Sequence, residues 1–105
     1  MAIDPNSLPR DSETLRKIVV DLAEQLIDLL PAGITRIFYS DNGSTAVEAA
    51  LKMAFQYWRN RSEPARTTFI ALRHAYHGDT VGAMSAGGDS VFTRPFAPLL
   101  FPVAM

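Results

Sequence analysis

The sequence predicts an α/β fold: a helix, then a strand, helix, strand unit of a mainly parallel sheet. Three observations predict it. Apolar residues recur at helical spacing from Leu15 to Leu30, and a β-type apolar run from Ile34 to Tyr39 breaks at the polar glycine turn Ser40-Asp41-Asn42-Gly43-Ser44. An alanine-rich helical pattern follows at once and leads to a second strand-like run, Thr67 to Leu72. Strands joined through a helix are expected to lie parallel, with a right-handed crossover.

Residues 1–10 carry two prolines and little apolar content, and are expected to form an irregular leader. In the first helix, Leu15, Ile18, Val19, Leu22, Leu26, Leu29 and Leu30 form the apolar stripe. Arg16, Lys17, Asp21, Glu24, Gln25 and Asp28 lie opposite. Asp11 or Ser12 would cap its start, and Pro31-Ala32-Gly33 ends it.

The second helix is expected from Ser44 or Thr45 to about Arg59, with Thr45-x-x-Glu48 as a capping box. Its polar positions reduce to one line, Glu48, Lys52 and Gln56, in which Glu48 and Lys52 have the spacing of an ion pair. A helix apolar on most of its circumference must be covered on most of it. One sheet covers one side, so another helix layer, domain or subunit is implied.

Asn60 to Ala65 reads as a loop. After the second strand comes the polar, aromatic segment Arg73-His74-Ala75-Tyr76-His77-Gly78-Asp79-Thr80, then a short helical piece from Thr80 to Ser85 and the loop Gly87 to Ser90. Ligands of open α/β sheets sit beyond the carboxyl ends of strands, so the glycine turn and the Arg73–Thr80 segment are expected to line one crevice. Val91 to Met105 has no clear period.

Composition narrows the function classes. A formal net charge of −1 offers no electrostatic footprint for nucleic acid or an anionic membrane. The absence of cysteine removes disulfides, thiolate metal sites and cysteine nucleophiles. No basic segment leads into an apolar core at the N-terminus, and no run approaches the ~18 apolar residues of a membrane span. The expected location is cytoplasmic.

A strand, glycine turn and helix start in succession present unpaired N–H groups at the positive end of a helix dipole, a ready site for a phosphate. Asn42-Gly43 is also a strong hairpin signal, but the hairpin needs a strand where the alanine-rich pattern begins. The turn lacks the lysine of a P-loop and the three glycines of a dinucleotide fingerprint. His74, His77 and Asp79 do not make a zinc signature, and no metal is expected. Tyr76 fits either a ring stacked on a planar cofactor or a rim aromatic over the core. Lys17 and Lys52 are the only lysines, and neither is placed for covalent amine chemistry with a carbonyl.

The block Phe38-Tyr39-Ser40-Asp41-Asn42-Gly43-Ser44-Thr45-Ala46-Val47-Glu48-Ala49-Ala50-Leu51-Lys52-Met53-Ala54, then Gln56-Tyr57-Trp58 and Ala75-Tyr76-His77-Gly78-Asp79-Thr80-Val81-Gly82-Ala83-Met84-Ser85, resembles the class III pyridoxal-phosphate-dependent aminotransferases. Thr45 and Asp79 depart from the general class and agree with its biotin-pathway branch, which moves an amino group from S-adenosylmethionine to 8-amino-7-oxononanoate. The resemblance covers about Leu15 to Val103. It implies that residues 11–105 are part of the large, cofactor-binding domain of a fold type I enzyme, a homodimer.

It further implies that the Gly43 and Ser44 amides and the Ser44 hydroxyl hold the phosphate of pyridoxal 5'-phosphate. Tyr76 would lie against the pyridine ring and border the substrate, with Asp79 near the substrate pocket. The family's cofactor-bearing lysine and the aspartate at the pyridine nitrogen belong to a later part of the large domain. No catalytic residue is therefore expected in this chain, which alone should be inactive. The alternative is a non-catalytic truncated or split module that binds phosphate weakly, or assembles with a complementary chain or with itself.

Overall fold

The computed structural model describes residues 11–105, and the expected leader at 1–10 lies outside them. The described residues fall into two compact units, the first ending at Phe38 and the second running from Tyr39 to Met105. In the first, helix α1 spans Ser12–Leu29, with Asp11 as its N-cap and the Asp11 carboxylate accepting the Thr14 N–H at 2.7 Å. Leu30 closes it through an N–H bond to Ile27 O, just before Pro31, where the next residue's backbone could not continue the ladder. On the polar face Lys17 pairs with Asp21 one turn on, at 2.6 Å. The apolar stripe exists in register, yet no residue of α1 is buried.

The second unit is organised on helix α2, Gly43–Asn60. Its start corrects the expected capping box: Asn42 is the N-cap and Thr45 its N3 partner, rather than Thr45 paired with Glu48. The Asn42 side chain accepts the Thr45 N–H at 3.0 Å, and the Thr45 hydroxyl accepts the Asn42 N–H at 3.2 Å. At the other end Ser62, at φ 60°, turns the chain, its N–H bonding Arg59 O while the Glu63 N–H bonds Trp58 O. Those two bonds are the 5→2 and 6→1 pair of a Schellman closure. Arg59, Arg61 and Arg66 lie over the rings of Phe55, Tyr57 and Trp58, Arg66 only 4.0 Å from the Trp58 ring centre.

The expected strand, helix, strand unit is not formed as a sheet. Among the described residues there is no strand, and the one β-bridge joins Ile70 to Ala104 in parallel. It is made by the Ala71 N–H to Ala104 O (2.8 Å) and the Ala104 N–H to Phe69 O (2.9 Å). Thr67–Leu72 therefore meets the C-terminal segment. A strand is defined by its ladder, and apolar composition alone supplies none.

Helix α3, Val81–Gly87, is the most enclosed element: Gly82 to Gly87 are all buried, whereas α2 buries no residue. The core proper is Ala83, Met84 and Ala86, with buried Ser85 among them. The Ser85 hydroxyl donates to Val81 O at 2.7 Å and accepts the Phe101 N–H at 3.1 Å, tying α3 to the C-terminal segment. A 3₁₀ helix at Arg94–Leu99 follows a turn in which Ser90 and Thr93 bond reciprocally, with Arg94 paired to Asp89. No helix among the described residues is long and apolar enough to cross a membrane.

Candidate functional site

The first turn of α2 leaves the N–H groups of Gly43 and Ser44 without partners among the described residues. Those of Thr45 and Ala46 are taken by the Asn42 side chain and carbonyl. A Cβ placed on Gly43 would meet nothing within 4 Å, so the turn opens onto free space. Facing it is the Tyr76–Asp79 loop. A crevice of about 520 Å³ is lined by Asn42, Gly43, Ser44, Val47, Tyr76, His77 and Gly78.

Two contacts hold the walls together. The Asp79 N–H donates to Ser44 Oγ at 3.2 Å, which leaves the serine O–H able to donate elsewhere. Gly78, at φ 130°, makes that approach possible: a Cβ there would lie 2.9 Å from Ser44 Cα and nearer still to its hydroxyl. On the same loop the Tyr76 hydroxyl donates to the Asp79 carboxylate at 2.9 Å. That bond raises the Tyr76 pKa above its ordinary value. The ring, 74% exposed, thus has its hydroxyl end tethered and its faces open. Just before the loop His74 adopts φ 59°, a left-handed conformation uncommon for a side-chain-bearing residue.

The arrangement suits a planar, phosphate-bearing group. Two free backbone donors and a hydroxyl stand at a helix N-terminus, and an exposed aromatic ring stands in the same crevice. Among the described residues no group of three potential metal ligands converges.

Compared with known families, residues 13–105 match the model described as Aminotransferase class-III. The chain belongs to the class-III aminotransferases. Among curated relatives of this class-III chain, the adenosylmethionine-8-amino-7-oxononanoate aminotransferase of Geobacter sulfurreducens is 54% identical over 83 residues, covering 79% of this chain and 18% of the relative. That of Synechococcus elongatus is 58% identical over 82 residues, covering 78% and 19%. The crystal structure of the enzyme of that name from Methanocaldococcus jannaschii superposes with a TM-score of 0.77 at 49% identity, over 81% of this chain and 19% of that one. The chain thus spans about a fifth of the length of these relatives.

Gly43, Ser44 and Tyr76, singled out from the sequence, line one crevice, and Asp79 is joined to it through Ser44 and Tyr76. Neither lysine is there. Lys17 pairs with Asp21 on α1, and Lys52 lies on a separate, mostly apolar groove of about 740 Å³ whose lining includes Leu51, Phe55, Phe69 and Phe101. The expected Glu48–Lys52 ion pair is not formed. Glu48 turns instead to the start of α3, where its Oε1 accepts from the Thr80 hydroxyl (2.5 Å) and the N–H groups of Gly82 (2.5 Å) and Ala83 (3.1 Å). The Thr80 hydroxyl first, then the two amides and the nearby charge of Lys52, lower the Glu48 pKa against the opposing effect of burial.

Sequence reasoning missed this contact because an i, i+4 lysine was the nearer partner. The available signal was Thr80-Val81-Gly82, a hydroxyl and a glycine at a helix start that has no carboxylate of its own in its first turn.

Proposed function

We propose that this chain is the part of a pyridoxal 5'-phosphate-dependent aminotransferase that cradles the cofactor phosphate and stacks on its ring. The intact enzyme moves an amino group from S-adenosylmethionine to 8-amino-7-oxononanoate in biotin synthesis, in the cytoplasm. The observation that carries the reading is the pair of N–H groups, Gly43 and Ser44, that have no partner among the described residues and share one crevice with the Tyr76 ring. Those amides and the Ser44 O–H bind the phosphate, Tyr76 lies against the pyridine, and Asp79, held by Tyr76, borders the substrate. Bound pyridoxal phosphate supplies the electron sink for amino-group transfer. With no lysine in the crevice, the chain by itself transfers no amino group.

The segments joined at Ile70 and Ala104 belong, in this reading, to neighbouring strands of the parallel sheet of a fold type I large domain. The apolar surface of α2 is then covered by the rest of the enzyme and its homodimer partner. A second reading, a split module that assembles with a complementary chain, is favoured by the same surface: α2 buries nothing, and Met53 and Tyr57 are both about half exposed.

Titration of pyridoxal 5'-phosphate into the ¹⁵N-labelled chain tests the site. Gly43 and Ser44 amide resonances are expected to move, and Ser44→Ala to weaken binding roughly tenfold, as loss of one hydrogen bond to a charged group does. Unmoved resonances at saturating cofactor would refute it. Light scattering that shows a monodisperse monomer with these apolar faces bare would count against the split module.

A further inference from the structure

Glu48 lies outside the crevice, one helical turn beyond Ser44 on α2, yet its carboxylate reaches across to the chain that leaves the Tyr76–Asp79 loop. One oxygen accepts three donors, the Thr80 hydroxyl and the Gly82 and Ala83 amides. Thr80, the N-cap of α3, makes no side-chain cap bond of its own, so the α2 carboxylate takes the place of a local cap. Gly82 fits this approach, since a Cβ on it would stand 2.6 Å and 2.8 Å from Glu48 carboxyl atoms. The loop is thus pinned to α2 twice, by Ser44 Oγ at Asp79 and by Glu48 at Thr80, Gly82 and Ala83. The two anchors lie one turn apart on one rigid helix.

Of the two, the Ser44–Asp79 bond is a single neutral contact on an exposed loop, whereas the Glu48 cluster is charge-assisted and partly buried. Charge-assisted bonds are about twice as strong as neutral ones.

We propose that Glu48 is a positioning residue for the cofactor crevice: by clamping the start of α3 to α2, it holds the Tyr76–Asp79 wall against the Gly43–Ser44 turn. The inference rests on the reading of that crevice as the pyridoxal phosphate site. It assigns Glu48 no contact with the cofactor.

Amide hydrogen exchange on the full chain tests it, with Asp79 as the reporter and Leu51, in mid-α2, as the control. Glu48→Ala is expected to speed exchange at Gly82 and Ala83 and also at Asp79, each roughly tenfold or more, with Leu51 unchanged. Glu48→Gln, which keeps an acceptor oxygen in place, is expected to restore most of the protection. Faster exchange at Gly82 and Ala83 with Asp79 unaltered would overturn the proposal and leave Glu48 a cap of α3 alone.

Should Glu48→Ala abolish folding, Thr80→Val decides, since it removes one donor of three. Asp79 is expected to lose protection along with Gly82, and an unaffected Asp79 overturns the proposal. Pyridoxal 5'-phosphate added to the unaltered chain keeps the two readings apart. Silence at Gly43 and Ser44 would refute the cofactor site, while the Asp79 exchange still reports on the clamp.

Discussion

Ser44 Oγ and the Asp79 N–H meet at 3.2 Å across 35 residues of sequence, and this contact joins the helix start to the loop that faces it. Gly78 permits it. Gly78→Ala would force a Cβ to within 2.9 Å of Ser44 Cα at a backbone φ of 130°. The expected result is a displaced Tyr76–Asp79 loop and a loss on the order of 1–3 kcal/mol, the cost of a strained backbone position. Denaturant unfolding measures the loss, and the Asp79 amide resonance reports the displacement.

The cap of α2 belongs to Asn42. Asn42→Ala removes the acceptor of the Thr45 N–H and is expected to cost about 1 kcal/mol, with lower helicity by circular dichroism. Asn42→Asp keeps an acceptor in the same place and should retain the helix. Equal helicity in Asn42→Ala and the unaltered chain would contradict the cap.

Glu48 makes stability depend on acid. Its folded-state pKa is lowered from the ordinary 4.5, chiefly by the Thr80 hydroxyl, so the folded state binds its proton less readily than the unfolded state. The stabilisation is therefore complete above about pH 4.5 and is lost as pH falls through the lowered folded value. Glu48→Gln should flatten this acid limb, as read by thermal unfolding between pH 5 and the acid range.

Ser85 is buried and uses its hydroxyl both ways, to Val81 O and from Phe101 N–H. Ser85→Ala removes the acceptor of the Phe101 amide and is expected to cost about 1–3 kcal/mol. The C-terminal segment should loosen with it, which exchange at Ala71 and Ala104, the amides of the parallel bridge, would reveal.

Much of the architecture was legible in short-range sequence because helices are short-range objects. Periodicity and end signals placed α1 and α2 within one or two residues of their observed limits, and the short helix after Thr80 was visible as well. The glycine turn was legible for the same reason: apolar run, polar turn and alanine-rich run are adjacent in the chain. Its cap was misassigned by three residues, since Asn42 and Thr45 both carry capping side chains and only the backbone decides which of them stands outside the helix.

The sheet was not legible. Ile34–Tyr39 and Thr67–Leu72 have β composition, but a ladder requires a neighbour, and the neighbour found for one of them is Ala104. The partner of Glu48 also depended on long-range folding. On the isolated helix Lys52 is its natural partner, at a few tenths of a kcal/mol. Once Thr80, Gly82 and Ala83 arrive from 32 to 35 residues away, three donors on one oxygen outweigh a solvated ion pair. Local sequence thus determined the helices, the glycine turn and the family. Tertiary structure decided which residues hold the Tyr76–Asp79 wall to that turn, because hydrogen bonds between distant segments exist only after the chain has brought them together.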